Sequence, residues 1–426
     1  MKRVVILCVW LFSVVAGHAQ LSLDECRRLA RENYPEIRQY DLVHQTEQYN
    51  LSNAARAWIP QIAFSAQATW QTDAPNFPKE LTGMLAQQGL EIPGLRKDQY
   101  KVALELNQTI WDGGKSVADK RIARAEAAEQ KTMTDVDLYE LEGRVDDLYF
   151  GILLLDERIA QTNLTLNLLR SNLEKVRALQ RNGVAMQSDA DVLEAELLSV
   201  GQQLIQFESS CDSYRRMLGI FIGQKVGDRK LQRPSAVQPL SGESARPELA
   251  MFAAKIDRLT AQEKMVKSSS MPRLGFFAQG YYGYPGLDYM QSMMNSDWSW
   301  NAMLGVKLSW NFGAYYTQKN NLNKLRISRQ QVEVQRDVFL FNMNLQAAQE
   351  NGDIARLSKA IADDDRIVAL RRSVREAAES KLRNGIIDTH DLLSKITDES
   401  TASMARSMRE IELLKAIYEY KHTINR

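Results

Sequence analysis

Residues 141–183 read LEGRVDDLYFGILLLDERIAQTNLTLNLLRSNLEKVRALQRNG, and this stretch decides the fold. Apolar side chains recur in it at steps of four and three, and Thr162 alone interrupts them. This heptad seam is typical of a helix that packs against other helices as a coiled coil. The proline-free run of residues 114–182 predicts one helix about 100 Å long, more than a compact globular domain can hold. The seam residues are Leu141, Val145, Leu148, Ile152, Leu155, Ile159, Leu166, Leu169, Leu173 and Val176.

A second proline-free stretch, residues 314–384, carries the same rhythm less regularly. Both long helices, predicted at 114–182 and 314–384, stop at an Asn-Gly pair, which is typical of a left-handed helix end. The chain then reverses into a returning helix, predicted at 188–220 in one case and at 388–424 in the other. Polar residues separate the apolar positions of the second seam into two groups: Val338, Phe341, Leu345 and Ala348, then Ile367, Leu370, Val374 and Ala377.

The chain is an internal duplication. Five landmarks recur in the same order, so we divide the mature chain into structural repeats at 20–230 and 231–426. Each repeat is predicted to hold a helix, a β-hairpin, a long helix and a returning helix; the first helix is expected to run from Leu23 to Trp58, before Pro60. The paired landmarks are Pro35 with Pro247, Pro60 with Pro272, Trp111 with Trp310, Asn182-Gly183 with Asn384-Gly385, and Asp189 with Asp391.

The β-hairpins are predicted at 61–111 and 273–312, where polar and apolar residues alternate. The clearest alternation is a single strand predicted at 298–312, with aromatic residues at both ends. This pattern is typical of a membrane strand with one face toward lipid and the other toward a wet lumen. A soluble sheet with one buried face alternates equally well, so the pattern alone leaves both readings open. The predicted aromatic girdle consists of Trp70, Trp111, Trp298, Trp300 and Trp310.

Four strands per chain cannot close a barrel. An open sheet edge in lipid leaves backbone groups unpaired, at a cost of several kcal/mol for each group. If these strands cross a membrane, several copies of the chain must therefore share one barrel. Two copies would give eight strands and a filled interior, whereas three would give twelve strands and room for a lumen.

Residues 1–19 are predicted to be a signal peptide. A positive start and an apolar run lead to small residues at Gly17 and Ala19, which fits cleavage after Ala19. No later segment has 18 consecutive apolar residues, so a membrane-spanning α-helix is not expected. Two cysteines remain in the mature chain, Cys26 and Cys211. A disulfide in an oxidising periplasm and two buried free thiols both stay open.

The composition and motifs argue against several classes of function. The 54 basic and 53 acidic residues nearly cancel, which disfavours binding to nucleic acid. The sequence has no Gly-x-Ser-x-Gly elbow, phosphate-binding loop or dinucleotide fingerprint, and its mature histidines lack zinc spacing. We therefore expect no enzyme activity, no catalytic residue, no cofactor and no metal site.

The duplicated plan resembles the TolC-like outer membrane efflux family. The resemblance rests on the Pro-Glu-Ile/Leu starts, the strand entries after proline, the Trp-x-x-Gly strand exits and the Asn-Gly-x5-Asp hairpins. The mature start, residues 21–26, is similar to members from the Bacteroidetes lineage. The resemblance implies a mainly α fold: a homotrimer with a shared 12-stranded membrane β-barrel and a long α-helical coiled-coil barrel.

The same resemblance implies function and partners. Members of the family are passive exit ducts in the outer membrane, with a large periplasmic portion, for tripartite efflux or type I secretion. The implied partners are two further copies of the chain, a periplasmic adaptor, an inner-membrane pump of RND or ABC type, and outer-membrane lipid. The main alternative is a soluble periplasmic adaptor or scaffold built from helical hairpins. The exported substrate is not encoded in any recognisable motif.

The resemblance also assigns roles at the two helix–helix turns. The turns are expected to contact the adaptor through Asn182, Gly183 and Val184 in the first repeat and through Asn384, Gly385 and Ile386 in the second. Asp391, with Asp189 as its counterpart, is the candidate pore gate, because carboxylates repeated by symmetry in a narrow mouth favour hydrated cations. Capping of the following helix is the alternative role for both. Ser394 and Ile387 occupy places where some members carry an acid and a base.

Overall fold

The computed structural model of the protein describes residues 20–89, 92–183, 185–235 and 244–425. The predicted signal peptide and Val184 lie outside these residues. The described chain falls into two compact units. The helical unit comprises the chain up to Tyr40, Thr132–Met251 and Gln335–Arg426, and the strand unit comprises Asp41–Lys131 and Phe252–Val334.

The elements follow the order predicted for two repeats. The first repeat contains α1 (Leu23–Asn33), α2 (Gln39–Arg56), β1 (Gln61–Trp70), α3 (Lys79–Gln87), β2 (Asp98–Trp111), α4 (Lys115–Arg181) and α5 (Gln187–Ile222). The second contains α6 (Pro247–Ser268), β3 (Arg273–Tyr284), α7 (Tyr289–Met294), β4 (Ser299–Ser309), α8 (Gly313–Arg383) and α9 (Thr389–Ile424). The mainly helical fold class with four antiparallel strands is confirmed.

The opening helix predicted from Leu23 to Trp58 is broken. α1 ends at Asn33, Tyr34 is extended (φ −68°, ψ 127°), and Pro35 starts a 3₁₀ turn. The prediction was wrong because a proline holds the preceding residue in an extended conformation and cannot donate a backbone hydrogen bond. The short helices α3 and α7, which lie between the strands of each hairpin, were not predicted either.

The seam of α4 forms the core of the helical unit. Leu141, Val145 and Ile152 are fully buried in a cluster that also holds Leu218 of α5 and Ile411 of α9. Nearer the α4–α5 turn, a second cluster is built from the later seam residues together with α5 and α9: Leu166, Leu169, Leu173, Val176, Leu193, Leu392 and Ile396. The heptad pattern therefore predicted which face of α4 is covered.

A polar layer separates the two clusters. Thr162 is 2% exposed, and its Oγ1 has no hydrogen-bond partner among the described residues. Beside it, the hydroxyl oxygens of Thr165 and Ser400 lie 2.6 Å apart, and Gln161 Nε2 donates to Ser407 Oγ at 3.2 Å. A cavity of 510 Å³, lined mainly by polar residues, opens at this level. The interruption at Thr162 in the sequence thus marks a real break in the core.

The seam of α8 has a different environment from that of α4. Phe341 is 64% exposed, and Val338, Leu345, Leu370 and Val374 are exposed as well. The other elements of the described chain leave this face uncovered. The two repeats share one plan, but only the first places its seam inside the chain.

The beginnings of the two repeats are tied together. Leu21 forms a parallel bridge with Leu231, and the backbone N–H of Gln232 donates to Leu21 O at 3.0 Å. The buried hydroxyl of Tyr149 on α4 lies 2.8 Å from Leu21 O and 2.6 Å from Gln232 O, to which it donates. Leu21 is therefore fixed against α4, whereas residues 236–243 lie outside the described part of the chain.

Cys26 and Cys211 are both free and buried in the first cluster. Burial raises the pKa of the Cys26 thiol to about 12, so the thiol stays protonated and behaves as a small apolar group. Cys211 Sγ instead lies 3.3 Å from both Asp156 Oδ1 and Arg215 Nε. Of the two readings left open by the sequence, the free thiols are the one present.

His422, near the end of α9, is a buried histidine stacked on Tyr139. The ring centroids are 4.1 Å apart and the planes differ by 6°. Gly143 on α4 provides the space, since a Cβ there would lie 3.1 Å from His422 Nε2. Burial, and then the positive charge of Arg246, lower the pKa of His422 to about 4. The ring is therefore neutral in the folded protein at neutral pH.

We predict that His422 makes the helical unit less stable in acid. Its pKa in the folded protein lies below the value of 6.5 in the unfolded chain, so its stabilisation is complete above pH 6.5 and is lost as the pH falls toward 4. His422→Phe keeps an aromatic ring on Tyr139 but cannot take a proton. The thermal midpoint of this variant should fall less between pH 6.5 and 4 than that of the native chain. His44→Phe, at an exposed position, is the control, and equal slopes for all three proteins would contradict the assignment.

Candidate functional site: the helical tips and the four-stranded sheet

The first helix–helix turn closes in the way expected for an Asn-Gly pair. α4 ends at Arg181, and Gly183 has a φ of +76°, a conformation that favours glycine. α5 begins at Gln187, and Asp189 caps it by accepting the backbone N–H of Met186 at 2.8 Å. Asn182 and Gly183 are exposed. Val184, the third predicted contact of this turn, lies outside the described residues.

The second turn repeats the first with a different cap. Gly385 has a φ of +66°, and the N–H of Ile386 donates to Lys381 O at 3.0 Å. Asp388, rather than Asp391, is the N-cap of α9, because its carboxylate accepts the N–H of Asp391 at 2.8 Å. The carboxylate of Asp391 is exposed and has no hydrogen bond or ion pair in the described part of the chain. The capping role considered for Asp391 is therefore wrong, while that for Asp189 is present.

The two turns lie at the same level of the helical unit. Lys175, six residues before the end of α4, pairs with Glu379, four residues before the end of α8, at 3.2 Å. Ile387 packs against the second cluster, whereas Ile386 is 68% exposed and lies next to exposed Asn384. The two helix–helix turns, at Asn182-Gly183 and Asn384-Gly385, are the tips of the helical unit. They thus present a few exposed polar groups and one exposed isoleucine, Ile386.

The strand unit holds a four-stranded antiparallel sheet in the order β1-β2-β3-β4. The register aligns the predicted apolar residues into one continuous face: Phe64 pairs with Leu104, and Ala278 pairs with both Leu106 and Leu304. This face is bare, with Phe64 73% exposed and Trp300 83% exposed. Within the described residues, β1 and β4 each pair on one side only.

The opposite face of the sheet is polar. Lys101 Nζ donates to Gln279 Oε1 at 3.0 Å, and the amide of Gln279 donates to Glu105. Lys101 also lies over the ring of Tyr281, 4.6 Å from its centroid. A soluble sheet buries its apolar face and exposes its polar one, but here the apolar face is the uncovered one.

The predicted aromatic girdle falls at two levels of the sheet. At the hairpin-loop end, Trp298 lies 5.7 Å from Tyr100 and 5.3 Å from Tyr282, measured between ring centroids, and Tyr282 lies 5.0 Å from Trp300. Trp70 ends β1 at the same side, opposite Asp98. At the helix end, Trp310 stacks beside Phe312 at 4.7 Å, and Trp111 ends β2.

The strand predicted at 298–312 is shorter in the structure. β4 spans Ser299–Ser309, and Trp298 and Trp310 flank it. The alternation continues beyond the strand because Trp310 turns toward the segment between α6 and β3: Trp310 Nε1 donates to Ser270 O at 3.0 Å. Asn311 then accepts the N–H of Gly313 at 3.1 Å. An alternating sequence does not reveal where ladder hydrogen bonds stop.

This geometry agrees with known proteins. The family model described as outer membrane efflux protein matches residues 27–223. The match covers most of the first repeat, which is therefore similar to that family. The match to outer membrane efflux proteins and the fold described above both fit a channel in the outer membrane and not an enzyme. A comparison with curated proteins finds no significant match.

Solved structures share the fold along most of the chain. The outer-membrane channel OprN has a TM-score of 0.70 and 14% identity, covering 94% of this chain and 89% of that chain. VceC of Vibrio cholerae has a TM-score of 0.68 and 14% identity, covering 94% and 95%. The MtrE channel of Neisseria gonorrhoeae has a TM-score of 0.65 and 14% identity, covering 94% and 88%.

Two kinds of feature are absent from the described residues. None of its helices carries an apolar stretch long enough to span a lipid bilayer. In the same residues, no group of three or more His, Cys, Asp or Glu side chains is arranged to hold a metal ion.

We predict that the two aspartates of the tips differ in their effect on stability. Asp189→Ala removes the hydrogen bond that this carboxylate accepts from the Met186 N–H at the start of α5, and should cost about 1 kcal/mol. Asp391→Ala leaves the Asp388 cap in place and should change the stability of α9 little. Hydrogen exchange of the amides at 186–190 and 388–392 measures both effects. Faster exchange at α9 in Asp391→Ala than at α5 in Asp189→Ala would contradict this assignment.

Proposed function

We propose that this protein is one third of a homotrimeric duct that lets substrates pass passively from a periplasmic or inner-membrane donor to the cell exterior. The observation that carries the proposal is the sheet, which has a bare apolar face and two open edges. Exposure of that face to water is unfavourable by roughly 25 cal/mol for each Å² of apolar surface. A lipid environment removes this cost.

Lipid in turn requires the sheet edges to be paired. Open edges do not occur in the hydrocarbon region because their N–H and C=O groups would have no partners. Since four antiparallel strands alternate in direction, β4 of one copy is antiparallel to β1 of the next, and repeated addition can close a ring. Three copies give twelve strands and space for a lumen, whereas two give a filled interior.

The spacing of the aromatic girdle supports a membrane position. Trp300 in β4 and Trp310 directly after β4 are ten residues apart, which is about 33 Å for an extended chain. A strand tilt of about 40° reduces the height to about 25 Å, the height of the apolar band in outer-membrane barrels. Tryptophan rings at both ends would then lie at the two lipid–water interfaces.

The helical tips would carry the contacts with the other components. Asn182, Gly183, Asn384 and Ile386 are exposed at one level, and Ile386 offers an apolar side chain for a periplasmic adaptor to cover. Val184 and Gly385 belong to the same proposed surface. The adaptor would connect the duct to an inner-membrane pump of RND or ABC type, which supplies the energy.

We assign the pore constriction to Asp391 rather than to Asp189. The Asp189 carboxylate is engaged in a helix cap, whereas that of Asp391 is exposed and has no partner in the described ranges. In a trimer, Asp391 is repeated three times around the axis, and three close carboxylates favour hydrated cations over anions. Asp189 would affect the mouth only through the position of α5.

The trimeric duct is tested by purification and reconstitution. We expect native mass spectrometry of the mature protein in detergent to give three copies and planar bilayers to show discrete conductance steps. The soluble-adaptor alternative predicts a water-soluble protein that forms no pores. A stable, water-soluble monomer would overturn the proposal.

The gate assignment is tested in the same bilayers. Asp391→Asn should change the conductance and lower the preference for cations over anions, because the charge at the mouth is lost. The matched control is Asp363→Asn on α8, an exposed carboxylate 20 residues before Arg383 and without a partner in the described chain. Unchanged ion selectivity in Asp391→Asn would contradict the gate assignment but not the proposed duct.

A further inference from the structure

Four of the five charged residues of the strands lie on the polar face of the sheet. Side chains at every second position of a strand share a face, and the register aligns these positions across β2, β3 and β4. The fifth residue, Asp98 at the start of β2, is on the other face and pairs with Arg96 of the hairpin loop. The charges of the polar face are Lys101 and Glu105 of β2, Arg273 of β3 and Lys307 of β4.

Lys101 and Glu105 balance each other. Both are bonded to the side chain of Gln279, since Lys101 Nζ donates to its oxygen at 3.0 Å and its amide nitrogen donates to Glu105. One base and the one acid that the strands place on this face are therefore joined in a single network. Because their net charge is zero, they add little to the electrostatic potential farther from the sheet.

Arg273 and Lys307 lie together at the helix end of the same face. Arg273 is the first residue of β3 and pairs with Ser309, while Lys307 pairs with Gly275. The two bases are therefore diagonal neighbours, about 7 Å apart at their Cβ atoms. Both are exposed, and neither has a hydrogen bond or an ion pair in the described part of the chain. We call these two residues the basic pair.

The carboxylates near the basic pair have partners of their own. A cavity of 340 Å³ is lined by the basic pair and also by Asp112, Asp119 and Lys115. Asp112 accepts the backbone N–H of Gly114 at 2.9 Å and that of Ser116 at 2.7 Å, at the positive end of the α4 dipole. Asp119 pairs with Lys115 at 2.9 Å. The lining thus has three bases and two acids, and both acids are engaged.

The proposed barrel brings three basic pairs into one ring. Its polar face is inside, because the apolar face meets lipid. Twelve strands spaced about 4.8 Å apart and tilted by about 40° have a circumference of about 75 Å and a backbone diameter of about 24 Å. Every point of such a lumen is within about 12 Å of the wall, and the Debye length at physiological ionic strength is about 8 Å. Six bases therefore act on any ion that passes.

We propose that Arg273 and Lys307 of three copies form a basic ring at the helix end of the barrel lumen, and that this ring favours anionic cargo such as carboxylates and phosphates. Rings of arginine and lysine are typical of pores for anions and phosphate. The inference rests on the proposed duct and adds the charge class that its barrel selects. The ring is opposite in sign to Asp391 at the tips, so the two levels select for different charges.

Block by a polyvalent anion tests the ring in planar bilayers. Inorganic tripolyphosphate should bind among the six bases and reduce the conductance of the native protein. In Arg273→Gln/Lys307→Gln these charges are lost, so the concentration that gives half block should rise by at least about ten-fold. Equal block of the native protein and the variant would overturn the proposal.

Two matched variants separate the charge of the ring from other effects. Arg273→Lys/Lys307→Arg keeps both charges and should be blocked like the native protein. Lys225→Gln/Lys230→Gln removes two exposed bases of the helical unit that have no partner in the described ranges, and it should also keep the native block. Loss of block in this second control would indicate a general effect of net charge and overturn the assignment to the basic pair.

Ion selectivity provides an independent arm. Under a gradient of KCl, the reversal potential of Arg273→Gln/Lys307→Gln should shift toward a stronger preference for cations, the opposite direction from Asp391→Asn. The shift should be larger in about 0.1 M than in about 1 M salt, because the Debye length falls from about 10 Å to about 3 Å. No shift at the lower salt concentration, or a shift toward anions, counts against the basic ring.

Failure of this inference is distinguishable from failure of the proposed duct. A variant that is trimeric by native mass spectrometry and conducts, but whose block is unchanged, contradicts the basic ring alone. A native protein that forms neither trimers nor conductance steps contradicts the duct. Lys307→Gln alone is the milder change to use if the double variant does not assemble. Its half-blocking concentration should also rise, and no rise would overturn the proposal.

Discussion

Within the described residues, β1 and β4 each leave one row of backbone hydrogen-bonding groups unpaired, and the apolar face of the same sheet is uncovered. Water can form hydrogen bonds with the backbone groups of the edges, but its contact with the apolar face is unfavourable. Lipid can cover the apolar face, but it leaves the backbone groups of the edges without hydrogen-bond partners. The two demands are met together only when other copies pair the edges and lipid covers the face. The exposed aromatic rings, the polar opposite face and the hairpin lengths are all consistent with that one constraint.

The two repeats share one order of elements, but the seams of their long helices have different environments. In the first repeat, the seam of α4 is covered by α1, α5 and α9, which gives the helical unit its core. In the second repeat, the seam of α8 is left free. One long helix therefore has its seam covered by the chain, and the seam of the other is exposed in the described residues. The tip caps diverged as well, with Asp189 capping one helix and Asp388 the other.

Much of the fold was predictable because it rests on local chemistry. Gly183 and Gly385 end the long helices where the sequence indicated, since a positive φ at that position favours glycine. The α4 seam was predictable because a heptad repeat sustained over ten positions is typical only of a helix that packs along its whole length. The break at Pro35 was missed because the amphipathic pattern continues on both sides of it. The use of Asp388 in place of Asp391 was missed because both are aspartates near a helix start, and only backbone geometry distinguishes the N-cap from the third helical residue.

The environment of the α8 seam was not predictable from the pattern, since a heptad repeat does not state whether its partner belongs to the same chain. The site residues show the same limit. Exposure of Asp391 and Ile386 follows from how α8 and α9 pack, and their roles depend on molecules outside this chain. Family resemblance could suggest those roles, but the residues alone left them open.

The polar layer at Thr162 has a consequence for how the helical unit opens. The two hydrophobic clusters share no residue, so losing the contacts of one does not directly remove those of the other. Proteins unfold locally in cooperative units defined by such contact groups. We therefore expect the segment between Thr162 and the tips to open as a cooperative unit of its own, at a lower cost in free energy than unfolding of the whole helical unit. In the proposed duct, such opening would occur at the mouth and would leave the first hydrophobic cluster, on the other side of Thr162, intact.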